Sequence, residues 1–278
     1  MIGNIVITKE RIVEKSAHKN PPLYESIFHI LSAKSKVLYR ERNIILLYTI
    51  SDPHLSFSTD KPMDIFGSRW DNHAQKFEAE WKNTVKDGDT VIIPGDISWG
   101  SSFEEALSDL EFINALPGRK IIGKGNHDYW WATMNKLSNF KNEKKLDTID
   151  FLFNNSYVVE NKIICGTRGW VNEFGVKSED ERIIKREAQR LELSLKEGLR
   201  LKEEFPDNEI VVFLHYPPLF GEFMNYDIID ILYRYNIKDV YFGHLHGVKQ
   251  EQLDDEYLGI RLHLVSCDYV NFVPVPVE

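Results

Sequence analysis

The sequence predicts an α/β fold with parallel strand pairs, and three observations predict it. Short apolar runs rich in β-formers alternate with stretches of helical periodicity. Gly and Pro punctuate the joints between them. Asp, Asn and His collect just after the apolar runs, at what would be the carboxyl edge of a sheet, where open α/β sheets bind ligands.

The regular pattern starts after Arg42. IILLYTI (44–50) is apolar and short, as a buried strand is. Trp70, Ala74, Phe77, Trp81 and Val85 then recur at helical spacing, and TVIIP (90–94) reads as a second strand. Ser102 and Glu105 form a capping box in front of the helix FEEALSDLEFINAL, which LPG terminates. KIIGK (120–124) is the third strand. Shorter strands FLF, SYVV and KIICG follow, then an amphipathic helix over 179–204, EIVVFL (209–214), a helix around YDIIDILYRY, and DVYF (239–242). The last stretch, RLHLVSCDYVNFVPVPV, is strand-like, with prolines suited to an edge. Residues 1–42 are Lys-rich and broken by Pro21 and Pro22; they read as an N-terminal extension, partly helical, preceding a domain over 43–278.

A chain of 278 residues, 42% hydrophobic, can bury a large core. Its net charge of −9 argues against coating nucleic acid or an anionic membrane, although a local positive site stays compatible with it. Only Cys165 and Cys267 are present, far apart, so a disulfide framework or cysteine-based zinc site is not expected. The first residues carry Glu10 and Glu14 and no continuous apolar segment of signal-peptide type, and NIILLYTI is too short to cross a bilayer. The expectation is a cytoplasmic protein without a membrane span.

Each apolar run is followed by potential ligands: SDPH after the first gives Asp52 and His54, GD gives Asp96, and GNHD gives Asn126, His127 and Asp128. HYPP contributes His215, and GHLH contributes His244 and His246. One D-x-H or H-x-H alone is most often plain polar loop. The set is different: five of the nine histidines fall in these turns, and two Asp, one Asn and four His suit two cations of five or six ligands. Gly95, Gly125 and Gly243 precede ligands and allow sharp backbone turns.

In that order, SDPH, PGD, GNHD, HYPP and GHLH resemble the calcineurin-like metallophosphoesterase superfamily, and KPMDIFG, PGDISWG, KGNHDYWW and CGTRGW are similar to a bacterial branch of predicted phosphohydrolases. The likeness covers about residues 44–278. It implies a four-layer α/β/β/α sandwich with mixed sheets around a centre of two divalent metal ions (Mn, Fe, Zn, Co or Mg), and hydrolysis of a phosphate mono- or diester by metal-activated water. It also implies the roles. Asp52, His54, Asp96 and His246 would hold one metal and Asp96, Asn126, His215 and His244 the other, with Asp96 bridging. His127 would face the substrate as acid or stabiliser, with Asp128 orienting its ring and keeping it protonated. The middle residue of the first motif is Pro53, where the family has a non-proline apolar residue; proline directs Asp52 to extended geometry.

Around this set, Trp130 and Arg168 are candidates for substrate contact, as pocket wall and phosphate clamp, against bland readings as core and surface ion pair. Trp131 shares the two readings of Trp130, pocket wall or core; Trp99 reads as packing, and Lys61, Asp64, Arg69 and His73 as a solvated face that would at most line the entrance. His18, His29 and His263 read as structural. The competing functional class is an inactive scaffold of the same fold that binds a protein partner; a complete ligand set argues against it. Nucleic acid as substrate is not favoured by the charge, and the sequence does not fix the oligomeric state.

Overall fold

The computed structural model describes residues 46–171 and 178–278. The extension expected over 1–42, with His18 and His29, lies outside the described residues.

In chain order, β1 (Leu47–Thr49) leads through two 3-10 turns, Asp64–Phe66 and Ser68–Trp70, into α1 (His73–Thr84). Then come β2 (Thr90–Ile93), α2 (Phe103–Ala115), β3 (Arg119–Ile122), α3 (Met134–Lys144), β4 (Ile149–Phe151), β5 (Tyr157–Val159), β6 (Lys162–Thr167) and α4 (Ser178–Glu204). The second half holds β7 (Glu209–Leu214), the small hairpin β8 (Leu219–Phe220) and β9 (Phe223–Met224), α5 (Tyr226–Arg234), β10 (Asp239–Phe242), β11 (Glu256–Tyr257), β12 (Ile260–Leu264) and β13 (Val275–Pro276).

Among the described residues, one sheet runs β13-β1-β2-β3-β4 and another β11-β12-β10-β7-β6-β5. The strands β1 to β4 pair in parallel, and β13, which carries Pro276, closes that edge antiparallel. In the second sheet β6, β7, β10 and β12 are parallel, with β5 and β11 antiparallel at the edges. The parallel strands are apolar on both faces because both faces are covered. Leu47, Ile92, Ile121, Ile164, Val211, Phe213 and Tyr241 fill the space between the sheets. Phe77, Trp81, Leu110 and Leu137 pack from α1, α2 and α3 onto the outer face of the first sheet. Leu191, Leu195, Ile228 and Leu232 do the same from α4 and α5 on the second. The result is the helix–sheet–sheet–helix layering that the sequence motifs imply. An isolated parallel bridge between Ser51 and Ser266 links the two sheets directly beside Asp52. No helix among the described residues is long and apolar enough to cross a membrane.

Local differences from the sequence reading have physical causes. The helical periodicity begins at Trp70, but α1 starts at His73, because Asn72 sits at φ 53°, in left-handed geometry, and breaks the chain there. Helix α3, MNKLSNFKNEK, is unforeseen: only Leu137 and Phe140 are buried on it, so its apolar stripe is thin. Lys120 lies inside the apolar run of β3 yet is fully buried. Its ammonium donates to the carbonyls of Leu116, of Gly118 at 2.8 Å and of Asn114 at 3.3 Å, and to Thr148 Oγ1 at 3.0 Å, and so caps the end of α2.

Candidate metal centre

The ligand-bearing turns leave β1, β2, β3, β7 and β10 at the same edge, so the two sheets deliver their polar turns to one place. Packing there is tight. A Cβ on Gly125 would strike the Asp96 carboxylate, and one on Gly243 would strike the carboxylate of Asp52 and the side chain of Ser51. Asp52, His54, Asp96 and His244 all have positive φ, at 60°, 45°, 51° and 71°. Strain of this kind in non-glycine residues costs of order 1–3 kcal/mol each and persists where surrounding structure over-determines it. Asp52 therefore departs from the extended geometry expected ahead of Pro53: the backbone N–H groups of Asp52 and His54 are tied to the carbonyls of Gly95 and Asp96 at 3.1 and 3.0 Å, and those ties set the turn.

All seven expected ligand residues converge. Nε2 of His54 lies 3.2 Å from Nε2 of His246, 4.0 Å from Oδ1 of Asp52 and 3.6 Å from Oδ2 of Asp96. Nε2 of His246 is 3.8 Å from Oδ1 of Asp52. On the other side, Nε2 of His215 is 3.5 Å from Oδ2 of Asp96 and 2.7 Å from Oδ1 of Asn126, and Nδ1 of His244 is 3.0 Å from that same amide oxygen. Asp52, His54 and His246 form one candidate ion-binding group, and Asp52, Asp96 and His215 another.

The electrostatics fit cations at these points. Burial, with Asp52 and Asp128 beside it, pushes the Asp96 carboxyl well above its usual range, and burial raises Asp52. Burial, then neighbouring imidazoles, pushes His54 and His215 far below theirs. His244 is pushed down to about 4 by burial and by His246 and His127. Carboxylates crowded together and imidazoles facing one another are each unfavourable without a counter-charge; a dication among their lone pairs removes both costs. These nitrogen and oxygen donors suit divalent metal ions.

His246 differs from its neighbours. Burial would lower its pKa, but Asp268 accepts a hydrogen bond from Nδ1 at 2.8 Å, and the net effect is upward. That bond leaves the Nε2 lone pair to face the other ligands. Asp268 is buried, accepts from Gly247 N at 2.8 Å and pairs with Arg69 at 3.7 Å. The sequence reading missed it, since SCDYV carries no motif; its one signal is a lone acid just after the last long strand.

His127 lies beside the centre. Its backbone N–H donates to Oδ1 of Asp96 at 2.8 Å, and its ring packs on Trp99 with centroids 4.1 Å apart. Its Nδ1 is buried without a hydrogen-bond partner among the described residues. Burial, then His246, pushes its pKa down to about 4, so the imidazole is neutral at pH 7. The expected orientation of His127 by Asp128 is replaced by another arrangement. The Asp128 carboxylate is buried and turned back onto the loop, accepting from the backbone N–H groups of Asp96 and Ile97 at 2.9 Å, Ser98 at 3.2 Å and Gly125 at 2.7 Å. Trp130 Nε1 donates to the same carboxylate at 3.0 Å. Trp130 is buried against Phe103 and Trp131, in line with its reading as core and not with the pocket-wall alternative, and it props Asp128.

Of the two readings of Arg168, phosphate clamp and ion pair, the structure shows an ion pair, and with a buried partner. Its guanidinium lies 3.4 Å from buried Glu187 on α4 and 4.8 Å from the Trp170 ring centre, while its carbonyl accepts from His215 N at 3.0 Å and so holds that ligand's turn. Trp99 packs as expected, against the core and on His54 and His127, and it also lines an open pocket next to His54, His127 and His246, together with Arg69 and Trp70. His263 bonds Asp239 at 3.0 Å, away from the centre.

Residues 46–248 match the family model for calcineurin-like phosphoesterases. A search of curated proteins finds no match. Among solved structures, phosphopantetheinyl hydrolase from Mycobacterium tuberculosis is similar at 18% identity and a TM-score of 0.48, over 82% of this chain and 90% of its own. A protein of unknown function from Aquifex aeolicus is similar at 16% identity and a TM-score of 0.46, over 84% of this chain and 95% of its own. A Thermus thermophilus protein is similar at 11% identity and a TM-score of 0.48, over 80% and 89%. With the family model spanning the strands and turns that build the metal centre, the chain belongs to the calcineurin-like phosphoesterase family.

Proposed function

We propose that the chain is a two-metal phosphohydrolase that cleaves a phosphate ester with water. One observation carries the reading: a single oxygen, Oδ2 of Asp96, lies 3.6 Å from Nε2 of His54 and 3.5 Å from Nε2 of His215, so one carboxylate faces both donor clusters. Asp52, His54, Asp96 and His246 would hold one ion; Asp96, Asn126, His215 and His244 would hold the other. Imidazole-rich ligation favours Mn, Fe, Zn or Co, with Mg compatible. When bound, such ions polarise the phosphoryl oxygens and lower the pKa of a water molecule.

The protein groups do the rest. Asn126 and the four histidines are neutral ligands, so only Asp52 and Asp96 subtract from the ionic charge, and a phosphate is attracted despite the net −9 of the chain. His127 acts as a neutral hydrogen-bond donor to the phosphoryl group, since burial disfavours its imidazolium. Trp99 fixes the plane of that ring. Asp128 fixes the loops bearing Asp96 and Asn126.

The test is hydrolysis of 4-nitrophenyl phosphate and bis(4-nitrophenyl) phosphate with added Mn, Fe, Zn or Mg. Asp96→Asn and His215→Ala should each abolish metal-stimulated turnover of whichever ester the wild type cleaves. Wild-type rates in both variants overturn the reading. Purified chain that holds no transition metal and gains no activity from manganese supports the scaffold class instead.

A further inference from the structure

A pocket of about 480 Å³ opens directly beside the metal centre. The edges of His54 and His246 form its inner wall, and Met63, Phe66, Trp70 and Trp99 form the others. The size is that of a small-molecule site. Its walls are held in place: Trp70 is buried with its edge against His54 and His246, and Trp99 stacks on His54 at 5.1 Å and bonds Met63 Sδ through Nε1 at 3.4 Å. Phe66 is different. It is 64% exposed on the 3-10 turn Asp64–Phe66, where it adds nothing to the core. At the mouth of the pocket it is placed to cover a group that fills the site.

The polar side chains of the pocket sit at its metal-centre end and in one ion pair. Apart from the histidines at the centre, its polar side chains among the described residues are Arg69 and Asp268, which pair with each other at 3.7 Å; no hydroxyl or side-chain amide lines it. A sugar or polyol laid against Phe66, Trp70 and Trp99 would leave the hydroxyl groups on those faces without partners, at about 1–3 kcal/mol for each. A flat apolar ring would bury area against indole and phenyl faces at no such cost.

We propose that this pocket receives the organic group of the substrate, and that the group is an aromatic or bulky apolar ring. The assignment rests on the phosphohydrolase reading for the phosphate end and on the pocket alone for the ring end. Phe66 is a specificity-determining residue that closes over the ring.

The experiment uses the full manganese-loaded chain and two primary-alkyl esters of similar leaving-group acidity, benzyl phosphate and 2-hydroxyethyl phosphate. The expected kcat/KM ratio is about tenfold or more in favour of benzyl, falling below about threefold in Phe66→Ala and largely restored in Phe66→Leu. A wild-type ratio near one, or a ratio untouched by Phe66→Ala, overturns the proposal. Binding of benzylphosphonate and 2-hydroxyethylphosphonate, read by calorimetry, needs no turnover. About tenfold tighter binding of the benzyl compound supports the pocket even if neither ester is hydrolysed; the hydrolase reading fails only if the aryl mono- and diesters above are not cleaved either, and equal affinities overturn the pocket.

Discussion

Nδ1 of His246 lies 2.8 Å from Oδ1 of Asp268, and that bond settles which imidazole nitrogen faces the metal centre. Removing the acceptor frees the ring to rotate and lowers its basicity. Asp268→Ala should weaken manganese binding about 10–100-fold, as other supporting residues of metal ligands do. Asp268→Asn, which can still accept through its amide oxygen, should lose less. Isothermal titration of the metal-free protein checks both; affinities equal to wild type would limit Asp268 to its bonds with Gly247 and Arg69.

The same bond predicts a pH effect. In the metal-free protein the pKa of His246 is raised, so its proton competes with the ion for the site. Manganese affinity should therefore fall as pH drops through the histidine range, with proton release on binding. In Asp268→Ala the rise is lost and the dependence should move to lower pH. Titrations at two pH values in buffers of different ionisation enthalpy measure the released protons directly.

Asp128 makes a different forecast from the one its place in the motif suggests. Its carboxylate serves the backbone N–H groups of Asp96, Ile97, Ser98 and Gly125 and the Trp130 indole. Asp128→Ala orphans those buried donors and should cost about 3 kcal/mol or more, seen as a lower midpoint in urea. A variant of full stability with only an altered pH–rate profile would restore the view that Asp128 acts through His127.

The motif illustrates what the sequence can carry. The convergence of Asp52, His54, Asp96, Asn126, His215, His244 and His246 was legible because polar residues that follow buried strands share one sheet edge, whatever their distance along the chain. Side-chain direction was not legible. Asn126, His127 and Asp128 are consecutive, yet one faces the other ligands, one the pocket and one its own loop. The left-handed φ of Asp52 ahead of Pro53 was equally hidden, because it is imposed by hydrogen bonds to the turn after β2. Asp268, Trp99 and Phe66 were not legible as site residues, because the pocket they line is made by the meeting of segments that no periodicity relates. The layering of the sheets was legible from the alternation of strands and helices; α3 was not, with a single turn's worth of apolar contact.

His127 should matter to turnover and little to metal binding. His127→Ala should lower kcat by about 10²-fold or more with manganese affinity near wild type. Because burial holds its pKa at about 4, its NMR titration in the metal-free protein should show a neutral ring throughout pH 6–8. A midpoint near 6.5 would return it to the role of imidazolium acid.

Lys120 offers a test far from the chemistry. Lys120→Met leaves the carbonyls of Leu116 and Gly118 without their donor, and should cost about 2–4 kcal/mol in urea unfolding. Burial lowers its pKa from 10.5 to about 8, so between those values the unfolded chain holds more protons than the folded one. Wild-type stability relative to the variant should accordingly rise with pH over that window.

The central claim is that Asp96 joins two cation sites, and metal stoichiometry tests it most directly. Elemental analysis of manganese-reconstituted protein after desalting should give two ions per chain, falling to one or fewer in Asp96→Asn. A wild-type chain that retains no ion, or an Asp96→Asn variant that retains both, would contradict the account.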